Sequence, residues 1–159
     1  MTGPIVNLGI EGRGGLSLKQ AWSEGPESYL GLAMPGFPNL FTVNGPSSPS
    51  VLTNMIVSLE HHVGWIAECI QTLREKGIDR IEATRDATHA WAEHTEEVAG
   101  YTLFPKANSW YMGANVPGKP QLFLAYLGGF DNYAARCDAI AANNFEGFDL
   151  ASSKVEETA

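Results

Sequence analysis

The sequence predicts an α/β domain with three main helices and a few short strands, and three observations carry that reading. Apolar residues recur at steps of three and four from Ile56 to Leu73, one face of an α-helix. Short β-branched or apolar runs stand at 39–44 and 122–127 and stop at Gly45-Pro46 and Gly128-Gly129. The 17 glycines and 9 prolines fall mostly outside these stretches, so much of the 159-residue chain is loop. That length allows one domain, or part of a larger one.

Residues 1–38 are dense in Gly and Pro, with only Ser17 to Glu24 able to form a short helix, and this start reads as unanchored. Asn39–Asn44 reads as a buried strand that ends in a GPSSPS turn. The long helix follows from Thr53, with Ser50 or Thr53 as its cap and Lys76-Gly77 as its stop. Its stripe, Ile56, Leu59, Val63, Ile66, Ile70 and Leu73, requires a partner surface. At ~1.5–3 kcal/mol per fully buried large side chain, it cannot stand alone in water. Ile81–Ala99 reads as a second helix with a weaker stripe (Ala83, Ala87, Trp91, Val98), and 100–120 as loop. Leu122–Leu127 reads as a short strand. Asp131 caps a third helix with Tyr133, Cys137 and Ile140 on one face, and the tail from Ser152 is polar and frayed.

The charge balance, 10 Lys+Arg against 18 Asp+Glu, opposes a phosphate-tracking surface and makes nucleic acid a poor partner. No apolar run has the ~18–20 residues of a membrane span, and the start has no basic end leading into a hydrophobic stretch, so a cytoplasmic protein is expected. Cys69 and Cys137 lack paired spacing and lie in helical stretches, as reduced core residues do.

A helix N-terminus offers unpaired N–H groups and a partial positive charge, so the strand, Gly-Pro turn and helix form a ligand-binding end at Asn54 and Met55, or simply the geometry of any such unit. Glu60-His61-His62 and His89…Glu93-His94 mix metal-ligand types, but adjacent or five-apart histidines do not converge as H-E-x-x-H does. Solvated helix faces account for them better, and no metal is expected. No G-x-S-x-G element and no paired carboxylates suggest a catalytic centre. The run KANSWYMGANVPGK (106–119) is aromatic and Gly-rich together, as in loops that fold over ligands; alternatively Trp110 pins it to the core.

The runs GFPNLFTVNGPSSPSVLTNM (36–55), TLFPKANSWYMGANVPGKP (102–120) and LGGFDNYAARCD…FEGF (127–148) resemble, in order, the C-terminal part of a Baeyer–Villiger monooxygenase of the cyclohexanone and phenylacetone type, an FAD- and NADPH-dependent flavoprotein. The resemblance covers roughly residues 9–150. It implies the C-terminal half of the FAD domain of a flavoprotein with two dinucleotide-binding domains. Residues 1–35 would be a return segment from the NADP domain, 36–150 the C-terminal part of the FAD-binding domain, and 151–159 a flexible tail. The family's two G-x-G-x-x-G fingerprints, its F-x-G-x-x-x-H-T-x-x-W element and its active-site arginine are absent. The segment IEGRGG follows an A-T-G-F-D motif in relatives, so the chain reads as the C-terminal portion of a longer enzyme, inactive alone, with FAD and NADP held by the full-length protein and bound weakly or not at all by this chain.

Carried over residue by residue, the resemblance places Gly45 and Pro46 against the flavin and the backbone N–H groups of Asn54 and Met55 at its pyrimidine edge. Ser50, Val51, Leu52 and Thr53 match a substrate-shaping bulge, and Leu124 and Ala125 the opposite pocket wall. Trp110 matches a mobile-loop tryptophan that reaches the NADP ribose, with Asn115 and Lys119 on the same loop. The implied substrate partners are a ketone and O2. An alternative is a non-catalytic helical remnant that self-associates or binds a partner through its apolar stripe.

Overall fold

The computed structural model describes residues 3–107 and 122–152. Two short helices open it, α1 (Gly3–Val6) and α2 (Leu18–Ala21). Ser17 starts α2 with a reciprocal cap: its Oγ accepts the Gln20 N–H, and Gln20 Oε1 accepts the Ser17 N–H. The Gly/Pro-rich stretch that follows is the reverse of unanchored. Leu30, Leu32, Met34 and Phe37 are buried, with Leu18 beneath Met34 and Phe37.

The expected strand at 39–44 is not one. Asn39 and Asn44 have φ of 58° and 52°, outside the β region, and only Phe41 makes an isolated bridge, to Ala33. Strand β1 is instead Ser48–Pro49.

Helix α3 (Met55–Glu75) is capped by Asn54, whose side chain accepts the Ile56 N–H at 3.0 Å, rather than by Ser50 or Thr53. It ends as predicted, at Gly77 with φ 67°. The face it buries is Ser58, His62, Trp65, Cys69 and Leu73. Most of the predicted stripe lies elsewhere: Ile56, Leu59, Val63 and Ile70 are exposed, and of its members only Leu73 is buried, with Ile66 partly covered.

Strand β2 (Arg80–Ala83) occupies the first residues assigned to the second helix, which runs as α4 (Arg85–Gly100) behind a Thr84 cap that accepts the Ala87 N–H. Four residues are too short a run to declare a strand without their partner. Strand β3 (Ala125–Tyr126) pairs parallel with β1, inside the predicted apolar run. Helix α5 (Phe130–Ala142) buries Tyr133, Cys137 and Ile140 as expected, although Gly129 holds the cap position and Asp131 stands inside the first turn. Strand β4 (Phe148–Ala151) closes an antiparallel pair with β2, Ile81 opposite Leu150.

The main core is aromatic, joining Tyr29, Trp65, Trp91, Tyr126, Tyr133, Phe145 and Phe148. Trp91 stacks on Tyr126 with centroids 5.0 Å apart, and its Nε1 donates to the Ser47 carbonyl at 3.2 Å. Cys69 and Cys137 are buried free thiols, as expected, with burial pushing them up to about 11 and 12. The histidines depart from the solvated reading: His62 is fully buried, and only the His89 side chain is largely in water. Among the described residues, no helix is long and apolar enough to cross a membrane, and no group of three or more His, Cys, Asp or Glu is arranged to hold a metal.

Candidate functional site

A cavity of about 400 Å³ opens where the turn before β1, the start of α3 and the residue before β3 converge with the chain start. That volume lies within the range of small-molecule sites. Gly45 and Pro46 form one wall with Phe41, Thr42 and Asn44, while Ser50 and Met55 line the side toward α3 and Leu124 the β3 side. Pro4, Ile5 and Trp22 come from the chain start. Those three were not legible in the sequence, because a loop residue's partner across the fold leaves no periodic mark.

The Gly45 wall is tightly built. A Cβ there would overlap Thr42 Oγ1 and the Gly31 carbonyl oxygen, so only glycine lets the two turns touch. The Gly45 N–H donates to the Gly31 carbonyl at 3.1 Å, Thr42 Oγ1 donates to the same oxygen at 2.9 Å, and Ser28 Oγ donates to the Pro46 carbonyl at 2.5 Å. The result is a rigid, close-packed edge rather than a mobile turn.

Of the residues singled out in the sequence, the cavity brings together Gly45, Pro46, Ser50, Met55 and Leu124. The others stand apart from its lining. Val51 packs against the cluster of Ala99, Phe123, Ala125 and Leu127, Leu52 is exposed, and Ala125 is buried opposite Ser48 in the β1–β3 pair. Thr53 is partly buried and Asn54 exposed, its side chain capping α3. Trp110, Asn115 and Lys119 lie outside the described residues.

No protein-family model matches the chain. Individual proteins do. It is 42% identical over 146 residues to the Baeyer–Villiger monooxygenase of Pseudooceanicola batsensis, covering 92% of this chain and 26% of that protein. It is 42% identical over 150 residues to phenazine N-monooxygenase of Lysobacter antibioticus, covering 94% and 27%. The structure superposes on cyclohexanone monooxygenase from Rhodococcus sp. Phi1 bound to NADP+ with a TM-score of 0.91 and 38% identity, over 96% of this chain and 28% of that one. Over nearly its whole length the chain matches one segment of Baeyer–Villiger monooxygenases. The chain spans about a quarter of the length of the relatives it matches. A further solved relative, at 33% identity and a TM-score of 0.86 over 94% of this chain and 27% of that one, is a complex with both FAD and NADP.

Proposed function

We propose that this segment forms the flavin-facing and substrate-facing wall of an FAD- and NADPH-dependent monooxygenase that converts ketones to esters or lactones with O2, in the cytoplasm. The observation that carries the reading is the cavity: the run 36–55, which resembles a family motif, contributes Gly45, Pro46, Ser50 and Met55, and Leu124 meets them from the opposite side. Residues 1–35 would serve as the return from the NADP domain, 36–150 as the C-terminal part of the FAD domain, and 151–159 as a tail.

The residues fit a flat ring system. Gly45, with Thr42 and the Gly31 carbonyl filling the space of a Cβ, keeps this wall close-packed, and Phe41, Pro46 and Leu124 are apolar around it. They do not fit a dinucleotide's pyrophosphate, since no G-x-G-x-x-G element is present. When bound, FAD supplies the oxygen-activating chemistry. The chain's own part is to seat the ring on the Gly45–Pro46 edge and to turn the start of α3, with Asn54 and Met55, toward the ring's electron-rich side, where a helix N-terminus contributes ~0.3–1 kcal/mol. Ser50, Val51, Leu52 and Thr53 with Leu124 and Ala125 would shape the ketone side, and Trp110, Asn115 and Lys119 the NADP side.

The test is a chimera in which residues 3–152 replace the matching segment of a cyclohexanone monooxygenase. Retained FAD and NADPH-dependent ketone oxidation are expected, with Trp110→Ala slowing turnover while leaving FAD content unchanged. A folded chimera without FAD overturns the reading. A second reading rests on exposed Leu52, Met55, Ile56, Leu59 and Val63: in the isolated chain this apolar face drives self-association, whatever the cavity binds.

A further inference from the structure

Behind the cavity wall, three elements are joined by one line of hydrogen bonds. His62 on α3 is fully buried, and its Nδ1 lies 2.9 Å from the Asn44 backbone nitrogen. An amide N–H only donates, so Nδ1 is the bare nitrogen of the ring and the proton sits on Nε2. That N–H points at Tyr133 Oη, 2.7 Å away on α5, and the tyrosine hydroxyl donates to the Leu30 carbonyl at 2.6 Å. Every link therefore has one polarity: Asn44 N–H to His62, His62 to Tyr133, Tyr133 to Leu30.

Both ends of the line are residues in the left-handed region, Leu30 at φ 59° and Asn44 at φ 52°, where side-chain-bearing residues need outside support. Each is followed by a glycine, Gly45 in the cavity lining and Gly31, whose carbonyl accepts the Gly45 N–H. The Asn44 side chain is tied as well: Ser58 Oγ donates to its Oδ1 at 3.0 Å, and its Nδ2 donates to the Met55 carbonyl at 3.4 Å. The groups facing His62 are His61 on its own helix and Tyr133 from α5. Burial, with a smaller push from His61, holds its pKa down to about 4, so the imidazole is neutral and the tautomer stays fixed above that range.

We propose that His62 and Tyr133 are positioning residues that clamp the Leu30–Gly31 and Asn44–Gly45–Pro46 turns together and so set the cavity edge for the flavin ring. The ligand half of this statement rests on the function proposed above; the clamp itself does not.

The experiment is done on the 159-residue chain with FAD as the probe, in wild type, His62→Asn, His62→Gln and Tyr133→Phe. An asparagine places an acceptor near the Nδ1 position, whereas a glutamine reaches toward Nε2 and leaves the Asn44 N–H unmet. Asn44 amide exchange should speed up about tenfold in His62→Gln and Tyr133→Phe, the scale of one lost buried hydrogen bond, and stay within about threefold of wild type in His62→Asn. FAD-dependent NMR shifts at Gly45, Ser50 and Leu124 should follow the same order. A role in packing alone would affect both His62 variants alike, and equal exchange and equal FAD response in the two overturns the proposal. If wild type shows no FAD response, the chimera above decides the flavin reading while Asn44 exchange still decides the clamp. Should the variants not fold, the 15N spectrum of the wild-type His62 side chain decides it: a proton on Nε2 is expected, and one on Nδ1 overturns the clamp.

Discussion

The Gly/Pro-rich stretch 25–49 and the long helix α3 invert each other's appearance. Helix α3 has the clearest apolar stripe in the chain, yet Ile56 is 67% exposed and Val63 50%, whereas Leu30 and Leu32, in a loop without any period, are 0% exposed. A stripe records which face of a helix is apolar. It does not say whether the covering surface lies within the same segment. In the loop, burial is built by turns through Leu30, Gly31, Gly36, Asn39, Asn44 and Ser47, all at positive φ, and such turns fold apolar residues inward at irregular intervals.

The sharpest break of this comparison is a pair of truncations. Leu32→Ala is expected to destabilise the chain by ~2–5 kcal/mol, because a fully buried leucine leaves a cavity. Ile56→Ala should stay within about 0.5 kcal/mol, as exposed substitutions do. At ~2–4 °C per kcal/mol for a chain of this size, thermal melts separate the two easily. Equal melting temperatures would mean that the loop is not the core.

Acid sharpens it next. His62 is held down to about 4 by burial and then by His61, while in the unfolded chain it titrates at the ordinary 6.5. Between those values the unfolded chain binds the proton and the folded chain does not, so stability present above pH 6.5 is lost as the pH falls toward 4. At 1.36 kcal/mol per unit, the loss approaches ~3 kcal/mol. Urea melts of wild type and His62→Asn from pH 7.5 to 4 should converge as the pH falls, since the variant lacks this titration. Parallel curves would show that His62 is not buried as a neutral base.

A third, smaller effect tests how the chain start is fastened. Glu82, buried on β2, accepts the Gly36 N–H at 2.6 Å and the Arg13 guanidinium at 2.8 Å. Glu82→Ala leaves the Gly36 N–H without its partner and should cost ~1–3 kcal/mol. Arg13→Ala should cost at most about 1 kcal/mol, because that side chain is 60% exposed and its pairing is screened. If the two variants melt alike, the buried bond to Gly36 is not what holds the loop to the sheet.

What was legible follows from what a local pattern can carry. The α5 face of Tyr133, Cys137 and Ile140 and the Gly77 stop of α3 are local and came out as read. Strands β2 and β4 are four residues each and exist through pairing across almost seventy positions, which no local run announces. The same holds at the site. Gly45, Pro46 and Leu124 were marked by the family resemblance and do meet, while Trp22 and Ile5 meet them only because the chain start folds back. His62 was misread because one imidazole among polar helix residues looks solvated until its two partners, from a loop and another helix, are seen.

The smallest expected change in stability gives the finest test of the α3 face. Leu59 and Val63 are 45% and 50% exposed and one turn apart, so both point to the same side and neither fills the core. Leu59→Glu with Val63→Lys places an opposite-charge pair at that spacing, worth only ~0.2–0.5 kcal/mol on an exposed helix, so the melting temperature should barely move. Sedimentation should move instead: the wild-type chain is expected to associate with rising concentration and the double variant to remain a monomer, because the apolar patch is interrupted. If wild type is monomeric at every concentration, the exposed stripe is tolerated alone and the self-association reading fails. If the double variant loses several kcal/mol, Leu59 and Val63 belong to the core, and the contrast between helix and loop collapses.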